Sequence, residues 1–231
     1  MTEERERWRA MKEQVMKNNQ VTIIGKVVSE FTFSHEVYGE GFYSFYVEVQ
    51  RLSEVVDQLP VTISERLLHG CTLEEGTLVE IQGQFRSYNR HDGEKNRLVL
   101  TVFARELFIL TDDLIYKNPN QIVLAGFVCK KPVYRTTPFG REIADLLLAV
   151  NRPYSKSDYI PCIAWGRNAR YAQNLEVGEM IRIWGRIQSR EYQKKQEDGE
   201  SVARMAYEVS VSKMELEEKL EESEGQNEEL D

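Results

Sequence analysis

Residues 19–27 read NQVTIIGKV, and residues 120–128 read NQIVLAGFV. A shift of 101 residues lays one over the other without a gap, and the match continues. Gly25 falls on Gly126, Gly39 on Gly140, Arg51 on Arg152, Asp57 on Asp158 and Pro60 on Pro161. One inserted residue later, LEEGTLVEIQGQFRS lies over LEVGEMIRIWGRIQS. Glycines that recur at a fixed offset mark shared backbone conformations, which chance residue matches would not give. The chain is therefore a duplication of two units of about 100 residues, each long enough for its own core and turns.

Within each unit the pattern is that of strands. VTIIGKVV and IVLAGFV are short apolar runs with a glycine inside, as expected where a strand bends at a barrel corner. FYSFYVEVQ and IADLLLAVN read as second strands, and LPVTI and IPCIA as third strands that lead into a short helical piece. TLVEIQGQF and EMIRIWGRI follow as fourth strands, and the last pairing flanks a polar loop with Asp92-Gly93 or Asp198-Gly199 at its turn. Five strands with a short helix between the third and fourth is the layout of an OB-fold barrel. The expected architecture is all-β, with two tandem five-stranded OB barrels at residues 19–111 and 119–214 and a linker at 112–118. Ahead of them Trp8, Met11 and Val15 sit three and four apart, which predicts an amphipathic helix within residues 1–18.

Charge separates the two units. Residues 19–111 carry 13 acids and 8 bases, whereas residues 119–214 carry 10 acids and 15 bases. The overall charge of −8 belongs to residues 215–231, where nine acids stand against Lys219. That low-aromatic acidic end predicts disorder, with a helical continuation open to its first half. The N-terminus lacks an apolar signal core and no run approaches a membrane span, so a cytoplasmic protein without a membrane partner is expected. Cys71, Cys129 and Cys162 are odd in number and lack C-x-x-C spacing, which suits a reducing compartment. No glycine-rich phosphate loop or metal-ligand spacing is present, and Glu142 and Asp145 are spaced like any pair on neighbouring strand faces. Neither catalysis nor a cofactor is expected.

The two copies differ most at Trp165, in IPCIAWGRNARY, where LPVTISERLLHG has Ser64. An indole there either fills the core or stands outside it as a stacking surface. The unaltered framework around Ser64 weighs against the core, because losing a buried indole would leave a void costing about 3–5 kcal/mol. Trp184, two residues from Arg186 and aligned with Gln82, reads as a second exposed aromatic. Tyr192 precedes the polar string QKKQEDGES, which reads equally as a solvated loop or as a hairpin folding over a strand, with Lys194 and Lys195 beside it.

Across nearly all of residues 120–214 the second copy resembles the bacterial single-stranded DNA-binding protein (SSB) family. NQIVLAGFV, YRTTPFG, LLLAVNRPY, CIAWGRNAR, LEVGEMIRIWGRI and SREY carry the resemblance by their order and spacing. It implies stacking of bases on Tyr154, Tyr159, Trp165 and Tyr192, with basic positions at Arg135, Arg167, Arg186 and Arg190. Arg152, Lys194 and Lys195 are further expected backbone contacts. The first copy has Ser53, Gln58, Ser64 and Arg90 at the stacking positions, none of them aromatic. The resemblance further implies sequence-nonspecific binding of single-stranded DNA in replication, repair or recombination. It also implies a homodimer presenting four OB folds, and contacts with replication or repair proteins through the acidic tail. The ending Glu228–Asp231 departs from the proline–phenylalanine tip of the family. A primosome-type protein-interaction module and an RNA-binding OB protein are the rival readings.

Overall fold

The computed structural model describes residues 17–71, 73–92, 95–111, 118–195 and 201–217. The expected N-terminal helix, linker and acidic tail lie outside these residues apart from their margins. In the first copy β1 (Asn19–Val27), β2 (Thr32–Val37), β3 (Glu40–Gln50) and β4 (Val56–Ser64) lead into α1 (Glu65–Leu68), followed by β5 (Leu78–Asp92) and β6 (Lys95–Ile109). The second copy repeats this as β7 (Asn120–Val128), β8 (Val133–Thr136), β9 (Glu142–Arg152), β10 (Lys156–Trp165), α2 (Arg167–Ala172), β11 (Met180–Lys195) and β12 (Ser201–Leu216).

The first barrel runs β2-β3-β4-β6-β5-β1 and closes where the end of β1 pairs with β3 at Lys26↔Glu48 and Val27↔Val47. The third and last barrel strands, β4 and β6, lie parallel. The second barrel repeats the order and closes at Phe127↔Ala149 and Val128↔Leu148, with β10 parallel to β12. This is the OB layout, with a short extra edge strand in each copy, so that each barrel has six strands rather than the expected five. Every side chain of β2 is exposed, so it shows none of the alternation by which a half-buried strand is read. The sheet also continues at the far end: β12 runs to Leu216, so Glu215 and Leu216, expected in the tail, are strand residues.

Alternating side chains fill the two barrels, with Ile23, Phe45, Leu59 and Phe85 fully buried in the first and Leu148, Ile160, Ile181 and Ile183 in the second. Each contributes about 1.5–3 kcal/mol by leaving water. Two of the duplicated glycines mark β-bulges. β5 shifts register at Gln82/Gly83 and β11 at Trp184/Gly185. A Cβ on Gly83 would stand 2.1 Å from the carbonyl oxygen of Phe103, and one on Gly185 2.2 Å from that of Ser210.

The barrels join along an antiparallel seam between β1 and β7. Asn19 pairs with Leu124, Val21 with Ile122 and Ile23 with Asn120. Exchanging the copies maps this set of pairs onto itself, with Val21↔Ile122 at the centre, so the seam has the form of a twofold interface. Each strand start is fixed the same way. Asn19 Nδ2 donates to Phe85 O and its Oδ1 accepts from Phe85 N, both at 2.8 Å. Asn120 does likewise with Ile187, at 2.7 and 2.9 Å.

Long hairpins cross the seam in both directions. Asp57 of the first barrel accepts from Ser189 N at 2.7 Å and Ser189 Oγ at 2.9 Å in β11. Asp158 of the second accepts from Ser87 N in β5 at 2.7 Å. The aspartates and arginines that the repeat matched therefore sit where each barrel receives the other's hairpin.

Candidate nucleic-acid interface

In β10, Asp158, Ile160 and Cys162 face inward, whereas Tyr159, Pro161 and Trp165 take the opposite side. Six residues apart on one strand, Tyr159 and Trp165 share an outer face, and they are 48% and 37% exposed. Trp165 is thus a surface aromatic and fills no core. The first copy explains how a serine replaces it without a void. Ser64 Oγ caps α1 by accepting from Arg66 N at 3.1 Å, and it also donates to Glu40. The second copy enters α2 instead through Gly166, at φ 54°, with no side-chain cap. The position that caps the helix in the first copy carries an indole in the second.

The four expected stacking residues do not form a single cluster. Tyr154 stands at the β9–β10 turn, 87% exposed and at φ 64°. Tyr192 lies three residues beyond Ser189, on the part of the hairpin that β11 extends across the first barrel, and is 38% exposed. Conversely, Tyr159 N donates to Ser87 Oγ of the first barrel at 2.7 Å, so the first barrel's hairpin borders the face that carries Tyr159 and Trp165. Tyr88, next along that hairpin, is an exposed aromatic of the first copy that motif matching passes over.

The basic positions divide by what holds them. Arg167 opens α2 beside Trp165 and is exposed. Arg186 is exposed on β11 and donates to Gln188 Oε1 at 3.3 Å. Arg190 Nε lies 3.9 Å from Glu208, and Arg135 pairs with Asp145 through Nε and Nη2 at 3.0 Å. Arg152 is committed to the seam, its Nε 3.3 Å from the buried Asp158. Lys194 and Lys195 belong to β11, but their side chains lie outside the described residues. Trp184 is half-buried rather than exposed, and Lys213 across the pairing places its Nζ 4.3 Å from the ring centroid. Among the described residues no group of three His, Cys, Asp or Glu side chains is placed to hold a metal ion, and no helix is long and apolar enough to cross a membrane.

Aromatic stacking surfaces in a basic groove are the means by which OB barrels of single-stranded nucleic-acid binders hold a strand. Residues 119–217, the second barrel, match the single-strand binding protein family. Single-stranded DNA-binding protein 1 of Staphylococcus aureus (strain COL) is 40% identical over 81 residues, covering 32% of this chain and 48% of that protein. Single-stranded DNA-binding protein A of Bacillus subtilis (strain 168) is 37% identical over 84 residues, covering 33% and 49%. The chain thus spans about half the length of these relatives. Over both barrels it shares the fold of the wild-type single-stranded DNA-binding protein from Thermus aquaticus. That likeness has a TM-score of 0.69 at 24% identity and covers 87% of this chain and 93% of that one. A deletion mutant of the same protein gives a TM-score of 0.71 at 21% identity, covering 90% and 98%.

Proposed function

We propose that the chain binds single-stranded DNA without strong sequence preference, mainly on the outer face of the second barrel, and so protects exposed strands in replication, repair or recombination. Trp165, Tyr159, Tyr154 and Tyr192 supply stacking surfaces, and Arg167, Arg186 and Arg190 neutralise phosphates. The observation that carries this reading is the exchange, on one framework, of Ser64 and Gln58 for Trp165 and Tyr159 on an exposed face. The excess of bases in residues 119–214 supports it. The first barrel serves assembly and lends its hairpin to the border of the face. Two copies would present four barrels, and the acidic tail would offer a contact for other proteins.

Titration with labelled dT oligomers, matched RNA and duplex at several salt concentrations tests the reading. Tight dT binding is expected, with log K falling by about 0.7 per phosphate neutralised for each tenfold rise in salt. Trp165→Ala should cost about 1–3 kcal/mol of binding, the value of a stacked base. Because the indole is partly exposed, thermal stability should fall by less than the about 3–5 kcal/mol of a core aromatic. Absence of dT binding at low salt, or unfolding of Trp165→Ala, would overturn the reading.

A further inference from the structure

The hairpins that lead into β3 and β9 carry an aromatic at the same repeat position, Tyr38 and Phe139. Neither ring fills a core, since Tyr38 is fully exposed and Phe139 is 91% exposed. Nor does either turn call for an aromatic. The turn Thr137–Gly140 closes with Gly140 N donating to Thr137 O at 2.8 Å, and it has proline second and glycine fourth, as such turns favour. Its third position, held by Phe139, ordinarily takes a small or polar residue. In the first copy Tyr38 itself takes φ 51° and Gly39 φ 78°, in a two-residue turn for which Asn-Gly is preferred.

The Phe139 turn is fixed, and it is fixed beside Trp165. Thr137 N donates to Arg141 O at 2.8 Å, and Arg141 N donates back to Thr137 Oγ at 3.1 Å. β9 leaves the turn at Glu142, whose carbonyl accepts from Gly166 N at 2.9 Å, immediately after Trp165. The Glu142 carboxylate accepts from Tyr134 OH at 2.6 Å and lies 3.3 Å from Arg170 Nε, which ties β8, β9 and α2 together. Three extended residues span at most about 11 Å and neighbouring strands lie about 5 Å apart, so the backbone of Phe139 lies within about 16 Å of Gly166.

Charge distinguishes the two tips. Glu36 and Glu40 flank Tyr38, whereas the matched positions around Phe139 hold Thr137 and Arg141. Arg141 is exposed, and among the described residues no ion pair engages it. Arg167, beside Trp165, is exposed as well. An open ring with a guanidinium two residues away offers what a strand needs, a face for a base and a cation for its phosphate. The ring of Tyr38 stands between carboxylates, which repel phosphate.

We infer that Phe139 is a further stacking residue for single-stranded DNA, with Arg141 as its phosphate contact, so that the strand continues past Trp165 onto the β8–β9 hairpin. The inference rests on the single-strand reading above. Its test uses the full chain and a long labelled dT oligomer at fixed low salt. Phe139→Ala should raise Kd about fivefold or more, the smaller effect of losing a stacked base, and should leave the unfolding midpoint in place. Phe139→Leu, apolar but without a ring, should bind as weakly, and Phe139→Trp as tightly as the unsubstituted chain. Tyr38→Ala, the matched change in the first copy, should leave Kd unchanged. None of the four alters charge. Unchanged Kd in Phe139→Ala overturns the inference. So does Phe139→Leu binding like the unsubstituted chain, or Tyr38→Ala weakening binding as much as Phe139→Ala. In those events weakened binding by Trp165→Ala would still uphold the single-strand reading, whereas no dT binding by the unsubstituted chain would remove both.

Discussion

Asp57 and Asp158 are matched by the duplication, fully buried and given equivalent duties at the seam, yet their surroundings push them in opposite directions. Burial alone would raise the Asp57 carboxyl, but Arg51 donates to both of its oxygens and Ser189 adds two further bonds, so it is held below its ordinary value. Burial also raises Asp158. There Ser87 and the charges of Arg152 and Arg86 do not offset it, and Arg152 Nε approaches Oδ2 without a hydrogen bond, so the carboxyl stays above its ordinary value. The linkage signs follow. Between the folded and ordinary values of Asp57 the unfolded chain binds more protons, so its stabilisation is present above the ordinary carboxylate range and is lost as pH falls through the folded value. For Asp158 the folded chain binds more protons, so stability is lost as pH rises from the ordinary value through the raised one. Asp57→Asn should therefore cost about 2 kcal/mol at neutral pH, the scale of hydrogen bonds to a charged group. Asp158→Asn should cost less and should remove the loss on the rising side. Urea unfolding of both variants from pH 3 to pH 8 would show this, and equal costs at neutral pH would contradict it.

The same contrast between shared frame and altered filling holds for the elements. The bulges of β5 and β11 each bring a glycine against the carbonyl of a neighbouring strand, at a distance where a Cβ has no room and the obstacle is backbone. Gly83→Ala and Gly185→Ala should therefore each destabilise by more than the about 1 kcal/mol typical of point substitutions. Gly39→Ala meets no atom within 4 Å and bears only the strain of its φ of +78°. Unfolding midpoints of the three variants check the order. These glycines were legible in the sequence because a repeated backbone conformation leaves repeated residues, and they fixed the barrel strands and the duplication. The exposure of Trp165 was legible for a related reason, since Ser64 occupies the same frame. β2 was not legible, because an edge strand with no buried face has no period to read. Nor was the half-burial of Trp184, nor the approach of Lys213 to its ring across the β11–β12 pairing, nor the crossing of the hairpins, which joins residues 71 and 132 apart in sequence. Such placements depend on tertiary register, which local pattern does not encode.

For the whole molecule, duplication within one chain allows a symmetric assembly to become unequal. A homodimer must carry the same residue on both halves, but here β1 and β7 keep a twofold pairing while the faces behind them diverge. One holds Gln82, Phe103 and Arg105, and the other Trp184, Ser210 and Ser212. If the seam is in form a dimer interface, each barrel retains the surface needed to pair with its own kind. Residues 118–217 expressed alone would expose β7 as an unpaired edge, with Ile122 at the point where Val21 now lies opposite. Open edges of this kind pair with another chain when geometry allows. The register permits it, because an antiparallel β7–β7 pairing centred on Ile122 reproduces the present bonds with Asn120 opposite Leu124 at both ends. The isolated second barrel is therefore expected to run as a dimer, with light scattering giving twice the mass of one barrel. The linked chain gains that pairing at the high effective concentration of a tether, with no requirement that both halves bind alike. A monomeric second barrel that remains folded would show instead that the seam depends on features peculiar to the first copy, such as the hairpin contact of Ser87 with Asp158.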